Sequence, residues 1–370
     1  MSGVHQFVPM LHRHDAVGEH TRAVRDLLVA RGVPSRIYTE LSDPETEHET
    51  RPYREYAGEA EPGDVLVYQF ATESAMAHWL AGRPERLVVN YHSITPPRWF
   101  AAWNDGIAQL QVAALAELAV VAPRADLGVA VSCFDEEELR AAGCTTTVVV
   151  PVANVADPPT EADPAALARL VAERDARRNA APPATSWLSV GRLAPNKGHH
   201  ETVAALFVAR MTVDPGAHLT VVGSPSEPAY AGALHRYVAT LGLEGAVDFV
   251  TGVDDAELAA HYRAADVLVM LSDHEGFGVP LVEAMGHRLP VVAFDAGAVR
   301  EVVGDAAVLL DRKHPRAVVA AVAGLAGDES ERRRLADLGA ARFAALDLGT
   351  AGERLVAAVW GPLDADERPS

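Results

Sequence analysis

"DVLVMLSDHEGFGVPLVEAM", residues 266–285, decides the reading of the fold. "DVLVML" is a short unbroken apolar run, the pattern of a strand buried on both faces. Ser272 to Gly278 is then the loop at its C-terminal end. Gly276 and Gly278 permit backbone angles and a close ligand approach that other residues resist. Pro280 suits the first turn of a helix, where its missing N–H is not needed. "PLVEAMGHR" continues as that helix, with its first N–H groups free to meet an anion or a hydroxyl. Two acids, Glu275 and Glu283, with seven residues between them, therefore ride on one strand–loop–helix unit. A carboxylate pair first suggests sugar hydrolysis, and the rest of the chain tests that thought.

Outward from this unit the pattern repeats. Strand patterns occur at "VHQFVPM", "SRIYTE", "DVLVYQF", "RLVVNY", "LGVAVS" and "TTVVVP" in the first half, and at "SWLSVG", "HLTVVG", "VDFVTG", "DVLVMLS", "PVVAF" and "AVLL" in the second. In the first half, helical patterns at 18–31, 74–82, 105–122 and 134–142 separate them. Strands alternating with helices predict parallel sheets covered on both faces. The stretch 156–184, rich in Pro, Ala and Asp, reads as a linker that carries one surface helix, "AALARLVAERDA". The expected domains are two Rossmann-like units, at 1–155 and at 185–345. A terminal segment at 346–370 holds a helix, "GTAGERLVAAVWGPL", expected to cross back to the first domain. Two doubly wound α/β domains joined this way face a central cleft, and ligands of such sheets bind at the C-terminal strand edges.

The 370 residues carry 51 acidic and 32 basic side chains, a net charge of −19. That balance argues against nucleic acid as a partner and against broad docking on anionic lipid. Two cysteines, Cys133 and Cys144, are too few for a disulfide framework and are expected to be reduced. The start, "MSGVHQFVPML", lacks the pattern of a signal peptide. The most apolar stretch, "GIAQLQVAALAELAVVAP", is broken by Gln109, Gln111 and Glu117 and does not read as a membrane span. A cytoplasmic protein, with an inner membrane face as the other place for it, is the expectation.

A second motif is "SVGRLAPNKGHH", residues 189–200. A strand ends at Gly191, Arg192 and Lys197 flank a turn, and a helix follows. Two cations at a C-terminal strand edge suit a diphosphate. The spacing is not that of a P-loop. An exposed loop with ordinary surface charges is the plain alternative; the acidic loop at the equivalent edge of another strand favours the diphosphate.

"VGRLAPNKG" and "EGFGVPLVEAM" together resemble the signatures of the retaining nucleotide-sugar glycosyltransferases of family 4, which have the GT-B fold and a Glu-x7-Glu motif. The similarity to that pattern is strongest from about 186 to 310, and "HQFVPMLHRHDAVGEHTRAVRDLL" is similar to the family's first strand, phosphate loop and helix. The resemblance implies that Glu275 lies against the donor sugar and that Glu283 holds the ribose hydroxyls. It implies that the amides of Phe277, Gly278 and Val279 reach sugar hydroxyls and the distal phosphate. Arg192 and Lys197 then neutralise the leaving diphosphate, and the loop around Val253 holds the base. His92, at the end of "VVNYH", is placed near the reacting carbon, with a packed loop histidine as the alternative. Gly18 opens a helix that meets the phosphates, although "DAVGEH" departs from the family's commoner double glycine. Asp15 touches sugar or acceptor, or caps that helix. On this reading the two acids hold hydroxyls rather than activate water. Catalysis rests on His92, Arg192, Lys197 and Glu275, and no metal or further cofactor is expected. UDP and GDP are the expected nucleotides of the donor sugar, and a glycan, a lipid-linked molecule or a small molecule is the acceptor.

Two features stay open at this level. The aromatic run "PPRWFAAWN" sets Trp99, Phe100 and Trp103 beyond His92, to stack on an acceptor or to pack the loop. Arg13, Arg22, Arg25 and Arg31 favour an anionic acceptor or a membrane surface, or form a solvated helix face. The rival functions are a sugar phosphorylase or nucleotide-sugar epimerase of the same fold, and a sensor that binds a nucleotide sugar without turnover. Phosphate-dependent product formation separates the first from a transferase, and turnover of any donor removes the sensor.

Overall fold

The computed structural model describes residues 2–12, 16–152 and 159–361. The chain forms two compact units. The first comprises the residues up to Ile94, a second piece from Gln109, and the segment from Leu348; the second comprises Thr95–Ala108 and the chain from Val155 to Asp347. The run 95–108 thus goes with the second unit, although the sequence places it inside the domain 1–155.

The first unit is a seven-stranded sheet built from β1 (Val4–Met10), β2 (Ile37–Leu41), β3 (Thr50–Pro52), β4 (Val65–Phe70), β5 (Arg86–Tyr91), β6 (Leu127–Ala130) and β7 (Thr147–Val149). Its order is β3-β2-β1-β4-β5-β6-β7, and every pairing is parallel. Side chains alternate across it. Val65 and Val67 of β4 join Val4, Val24, Leu28 and Val88 on one face, while Leu66, Tyr68 and Phe70 join Leu87, Val89 and Tyr91 on the other. The helix Ala16–Ala30 covers the first face together with the terminal helix Ala351–Trp360, which buries Leu355 and Val359 there.

β3 is the one strand without a sequence signal. "TRP" has no apolar alternation, and its proline is tolerated because the strand lies at the sheet edge. The apolar stretch noted above forms a helix, Asp105–Val121, continued by a 3-10 turn. Over Asp105–Arg124 it is long and apolar enough to cross a membrane by length and composition. Part of it lies on the sheet: Ala114, Leu118 and Val121 are buried in the core of the second face.

The second unit is a six-stranded parallel sheet of β8 (Ser186–Val190), β9 (His218–Val222), β10 (Val247–Val250), β11 (Val267–Met270), β12 (Val291–Phe294) and β13 (Ala307–Leu310). The order is β10-β9-β8-β11-β12-β13. The expected linker helix is present as Pro164–Arg178, N-capped by Asp163, and belongs to this unit.

In both sheets the chain builds outward to one side of its first strand, then returns and builds to the other. The order therefore reverses between β1 and β4 in the first unit and between β8 and β11 in the second. A crevice opens at such a point because the loops after the two strands depart in opposite directions. In the second unit these loops are Gly191–Gly198 and Leu271–Gly278. They are locked together: the Asp273 amide donates to the Asn196 carbonyl at 2.8 Å, and Gly198 lies so close that an added Cβ would stand 2.1 Å from the Leu271 carbonyl oxygen. Gly198 also has φ of 67°. Gly198→Ala is therefore expected to cost about 2 kcal/mol or more of unfolding free energy, from backbone strain added to overpacking. Denaturant titration checks this, and a variant as stable as the parent would show that the two loops yield easily.

Candidate functional site

The β8 and β11 loops bring the predicted residues of the second unit together. Lys197 Nζ lies 2.7 Å from Glu275 Oε1, with the Glu275 side chain only 7% exposed. Glu275 is held by its backbone as well. Its carbonyl accepts from the Ala298 amide at 2.9 Å, and Gly297 packs against it where a Cβ would lie 2.3 Å away. A third loop, after β12, thus supports the acid. Arg192 is exposed, and its guanidinium has no partner among the described residues. The two cations therefore differ: Lys197 is shared with an acid, and Arg192 is open to an incoming anion.

Gly278 has φ of 84° and starts the helix Val279–Gly286. Among the described residues, no hydrogen bond engages the amides of Phe277, Gly278 and Val279. These amides, at a helix start beside a cation and an acid, are suited to oxygens of a sugar or phosphate. Glu283 is one turn into that helix. Its Oε2 accepts from the Tyr262 hydroxyl at 2.7 Å, and Tyr262 stacks on His287 with ring centroids 5.6 Å apart. Burial, with Asp255 adding to it against the Tyr262 hydrogen bond, pushes the Glu283 carboxyl up to about 7. Val253 is half-buried in the loop after β10, at the same C-terminal sheet edge.

Three residues that support these groups were not legible in the sequence. His199, buried at the first position of its helix, places Nε2 at 3.2 Å and 3.1 Å from the carbonyls of Gly191 and Arg192. Carbonyls only accept, so Nε2 carries the proton, and Nδ1 accepts from the Ser189 hydroxyl at 3.1 Å. Burial lowers His199 to about 4, so this neutral ring fixes the Arg192 loop at pH 7. Its place directly after "NKG" was the available signal. Lys313 Nζ contacts Asp273 Oδ1 at 2.5 Å and Glu201 Oε2 at 2.8 Å, bracing the loop two residues before Glu275. Tyr262 lies on a different helix from Glu283, and nothing in the local spacing announces it.

In the first unit, His92 follows the end of β5. Its Nε2 lies 2.7 Å from Gln69 Oε1, and its ring meets that of His20 edge-on at 5.2 Å. Burial, and then the charge of His20, hold His92 well below its ordinary value. The next residue, Ser93, has φ of 58°, a left-handed conformation that costs a non-glycine residue about 1–2 kcal/mol and is commonest where a turn has to aim a side chain. Gly18 is the third residue of its helix, where an added Cβ would lie 2.7 Å from the His12 carbonyl oxygen; it lets the helix approach the loop after β1. Asp15 and Arg13 lie outside the described residues.

Two open readings change. Arg22 and Arg25 both pair with Glu49, at 3.0 Å and 3.3 Å, and Arg31 pairs with Glu353 at 3.0 Å. These three cations are matched by carboxylates of the chain, the arrangement of a solvated helix face. The aromatic run packs. Phe100 is buried with Ala108 and Ala194, and Trp103 meets Tyr230 edge-on at 5.1 Å. Trp103 remains 39% exposed. A separate cavity of about 450 Å³, lined by Trp187, Val267, Val319 and Val322, is at the N-terminal ends of β8 and β11, away from these polar loops.

Residues 173–342 match the family model described as glycosyl transferases group 1. Among curated relatives, the chain is 36% identical over 156 residues to a D-inositol 3-phosphate glycosyltransferase of Corynebacterium glutamicum, covering 40% of this chain and 36% of that one. It is 33% identical over 207 residues to a GDP-mannose-dependent alpha-(1-6)-phosphatidylinositol monomannoside mannosyltransferase of Mycobacterium tuberculosis, covering 54% and 48%. The matches thus span less than half the length of these relatives. Over nearly the whole chain, the fold is similar to that of Anabaena HepE in complex with UDP-glucose, with a TM-score of 0.73, 19% identity, and 96% and 99% of the two chains covered. It is similar in the same way to the sucrose-phosphate synthase of Thermosynechococcus elongatus, with a TM-score of 0.74, 20% identity, and 97% and 99% covered. These likenesses show the GT-B fold.

The raised Glu283 carboxyl has a consequence for stability. Between about 4.5, its unfolded value, and about 7, the folded chain holds a proton that the unfolded chain has released. This group therefore subtracts stability as pH rises through that window. Glu283→Gln keeps an acceptor for Tyr262 and cannot ionise. It is expected to melt at a higher temperature than the parent at pH 8 and at nearly the same temperature at pH 4.5. Equal differences at both pH values would mean that Glu283 is not held in a raised state.

Proposed function

Residues 173–342 match the glycosyl transferases group 1, and on that premise we propose that the chain transfers a hexose from a nucleoside diphosphate sugar to a hydroxyl acceptor, with retention of configuration and without a metal. The observation that carries this reading is the switch-point cluster of the second unit. An open cation, a cation paired with an acid, and three amides with no hydrogen bond among the described residues occupy one crevice. A diphosphate needs the first and the last of these, and sugar hydroxyls need the acid and the amides.

Breaking the bond from the anomeric carbon to phosphate gathers negative charge on the diphosphate and positive charge on the sugar ring. Arg192 meets the diphosphate oxygens, because nothing within the described chain competes for it. Lys197 shifts part of its charge from Glu275 to the phosphate, and Glu275 turns to the sugar hydroxyls. Preorganised donors of this kind lower a barrier by about 3 kcal/mol each. The acceptor oxygen bonds to the anomeric carbon from the leaving-group face, and its proton passes to the departing phosphate oxygen. No separate base is then required. Glu283 accepts from the ribose hydroxyls, which favour its ionised form and offset the effect of its burial. Arg192 and Lys197 supply the charge that a divalent ion supplies elsewhere.

A thermal-shift screen against UDP- and GDP-hexoses tests the donor class. A donor at 100 times its Kd stabilises by about 2.7 kcal/mol. If no nucleotide sugar raises the melting temperature, the reading fails. With a donor in hand, transfer is expected to persist through exhaustive chelation with EDTA. Loss of activity that Mg2+ or Mn2+ restores would overturn the metal-free step.

Arg192→Ala is expected to lower kcat and kcat/KM together by on the order of a hundredfold, because the charge it faces grows as the bond breaks. Arg192→Lys retains the charge but loses the planar fork, and should remain impaired. Since Arg192 is exposed, neither change threatens the fold. A raised KM with unchanged kcat would mean that Arg192 only holds the donor.

A further inference from the structure

Gln6 of β1, Gln69 of β4 and Asn90 of β5 are 0%, 0% and 1% exposed. Three buried amides in neighbouring strands are unusual in a core otherwise made of valine and leucine. Alternation explains where they point. Gln6 follows Val4, Gln69 follows Val67 and Asn90 follows Val88 at intervals of two, so all three share the sheet face that carries the helix Ala16–Ala30. That helix adds His20, 2% exposed, to the same cluster.

The donors and acceptors form one directed chain. Gln69 Nε2 donates to Gln6 Oε1 at 2.7 Å. Asn90 Nδ2 donates to Gln69 Oε1 at 2.9 Å, and its second N–H points at His20 Nε2, 2.8 Å away. His92 Nε2 is 2.7 Å from the same Gln69 Oε1. An oxygen that accepts from Asn90 has no proton to give, so His92 Nε2 must carry one. Asn90 cannot flip alone, since its oxygen would then face Gln69 Oε1. The arrangement leaves Gln6 Nε2 and Asn90 Oδ1 buried without partners among the described residues.

We propose that Gln69 is a positioning residue that locks His92 as the Nε2–H imidazole, so that Nδ1 presents a lone pair to a substrate hydroxyl. Nδ1 has no partner among the described residues. This rests on the sugar-transfer reading for the identity of the hydroxyl, but not for the state of the ring. His92 is then a hydrogen-bond acceptor rather than an acid. The groups that face it are His20 from the helix and Gln69 from β4. His20 is itself lowered to about 4 by burial. Among the described residues, no carboxylate stands against His92 to draw a proton onto it.

The test is long-range proton–nitrogen NMR of the full chain with 15N-labelled histidine, assigned with His92→Gln. The expected result is a neutral His92 from pH 5 to 8, protonated at Nε2 and bare at Nδ1. A proton on Nδ1, as a chain flipped throughout would give, overturns the proposal, as does a ring that titrates near 6.5. Gln69→Glu places a carboxylate against Nε2. It is expected to raise the His92 pKa by at least one unit and to add an acid limb to the kcat–pH profile, with donor KM changed less than threefold. An unchanged ring pKa in a folded Gln69→Glu chain counts against the lock. If that variant does not fold, Gln69→Met removes the acceptor without a charge and is expected to abolish the slowly exchanging Nε2–H signal; persistence of that signal also counts against it. The NMR result stands apart from turnover. A chain that transfers no sugar fails the functional reading while the tautomer is still decided.

Discussion

The polar edge of the second unit depends on backbone packed against backbone. Gly198 meets the Leu271 carbonyl, Gly223 meets that of Gly191, and Gly297 meets that of Glu275; in each case an added Cβ would stand 2.0–2.3 Å from an oxygen. No other residue type fits these three places without displacing a loop. The loops after β8, β9, β11 and β12 are therefore set at one fixed spacing. That spacing decides whether Lys197, carried by the first, can reach Glu275, carried by the third. The ion pair at 2.7 Å is a result of the glycine contacts rather than their cause.

An ion pair this buried adds little stability of its own, because desolvation offsets much of the attraction. Its value is positional. Removing either partner leaves a charge with no compensation, so the loops are held to the geometry in which both charges are matched. A ligand that brings its own anion changes that balance. It offers Lys197 a second acceptor and leaves Glu275 in need of a donor, which hydroxyl groups supply. The neutral His199 serves the same end by different means. It joins the Gly191 and Arg192 carbonyls without adding a third positive charge beside Arg192 and Lys197. A protonated ring there could no longer accept from the Ser189 hydroxyl, and burial disfavours it.

Much of this was legible in the sequence because it is local. The run from "DVLVML" to "EAM" is continuous in the chain, so a strand, a glycine-rich loop and a helix start were readable from residue order alone. Twelve of the strand patterns correspond to strands of the two sheets. The short edge strand Thr50–Pro52 was not, since pairing with β2 rather than its own pattern makes it a strand. The partners of the site residues were hidden for the same reason. Tyr262 meets Glu283 across 21 positions, and Lys197 meets Glu275 across 78. The sequence pointed to Lys197 and Glu275 as separate contacts of a donor; only the fold shows that they hold each other. The arginines near the first helix stayed open between an anion-binding surface and a solvated face because Glu49 and Glu353, the partners of Arg22 and Arg31, lie far from them in the chain.

The two units use the same topological feature in opposite ways. In the second, the candidate site lies on loops beyond the strand ends, and the two central strands contribute only the Ser189 hydroxyl beneath it. In the first, polar side chains occupy the strands themselves. Burying Gln6, Gln69 and Asn90 while leaving two of their polar atoms unmatched costs on the order of 1–3 kcal/mol for each unmatched group. Valine at these positions, the residue that precedes each by two, would pack without that cost. A core that tolerates the loss has some use for the orientation that the amides impose. The one ring in the chain of bonds that reaches partial exposure is His92. It sits beside the left-handed Ser93, so the backbone strain and the unmatched amides converge on the aim of a single imidazole.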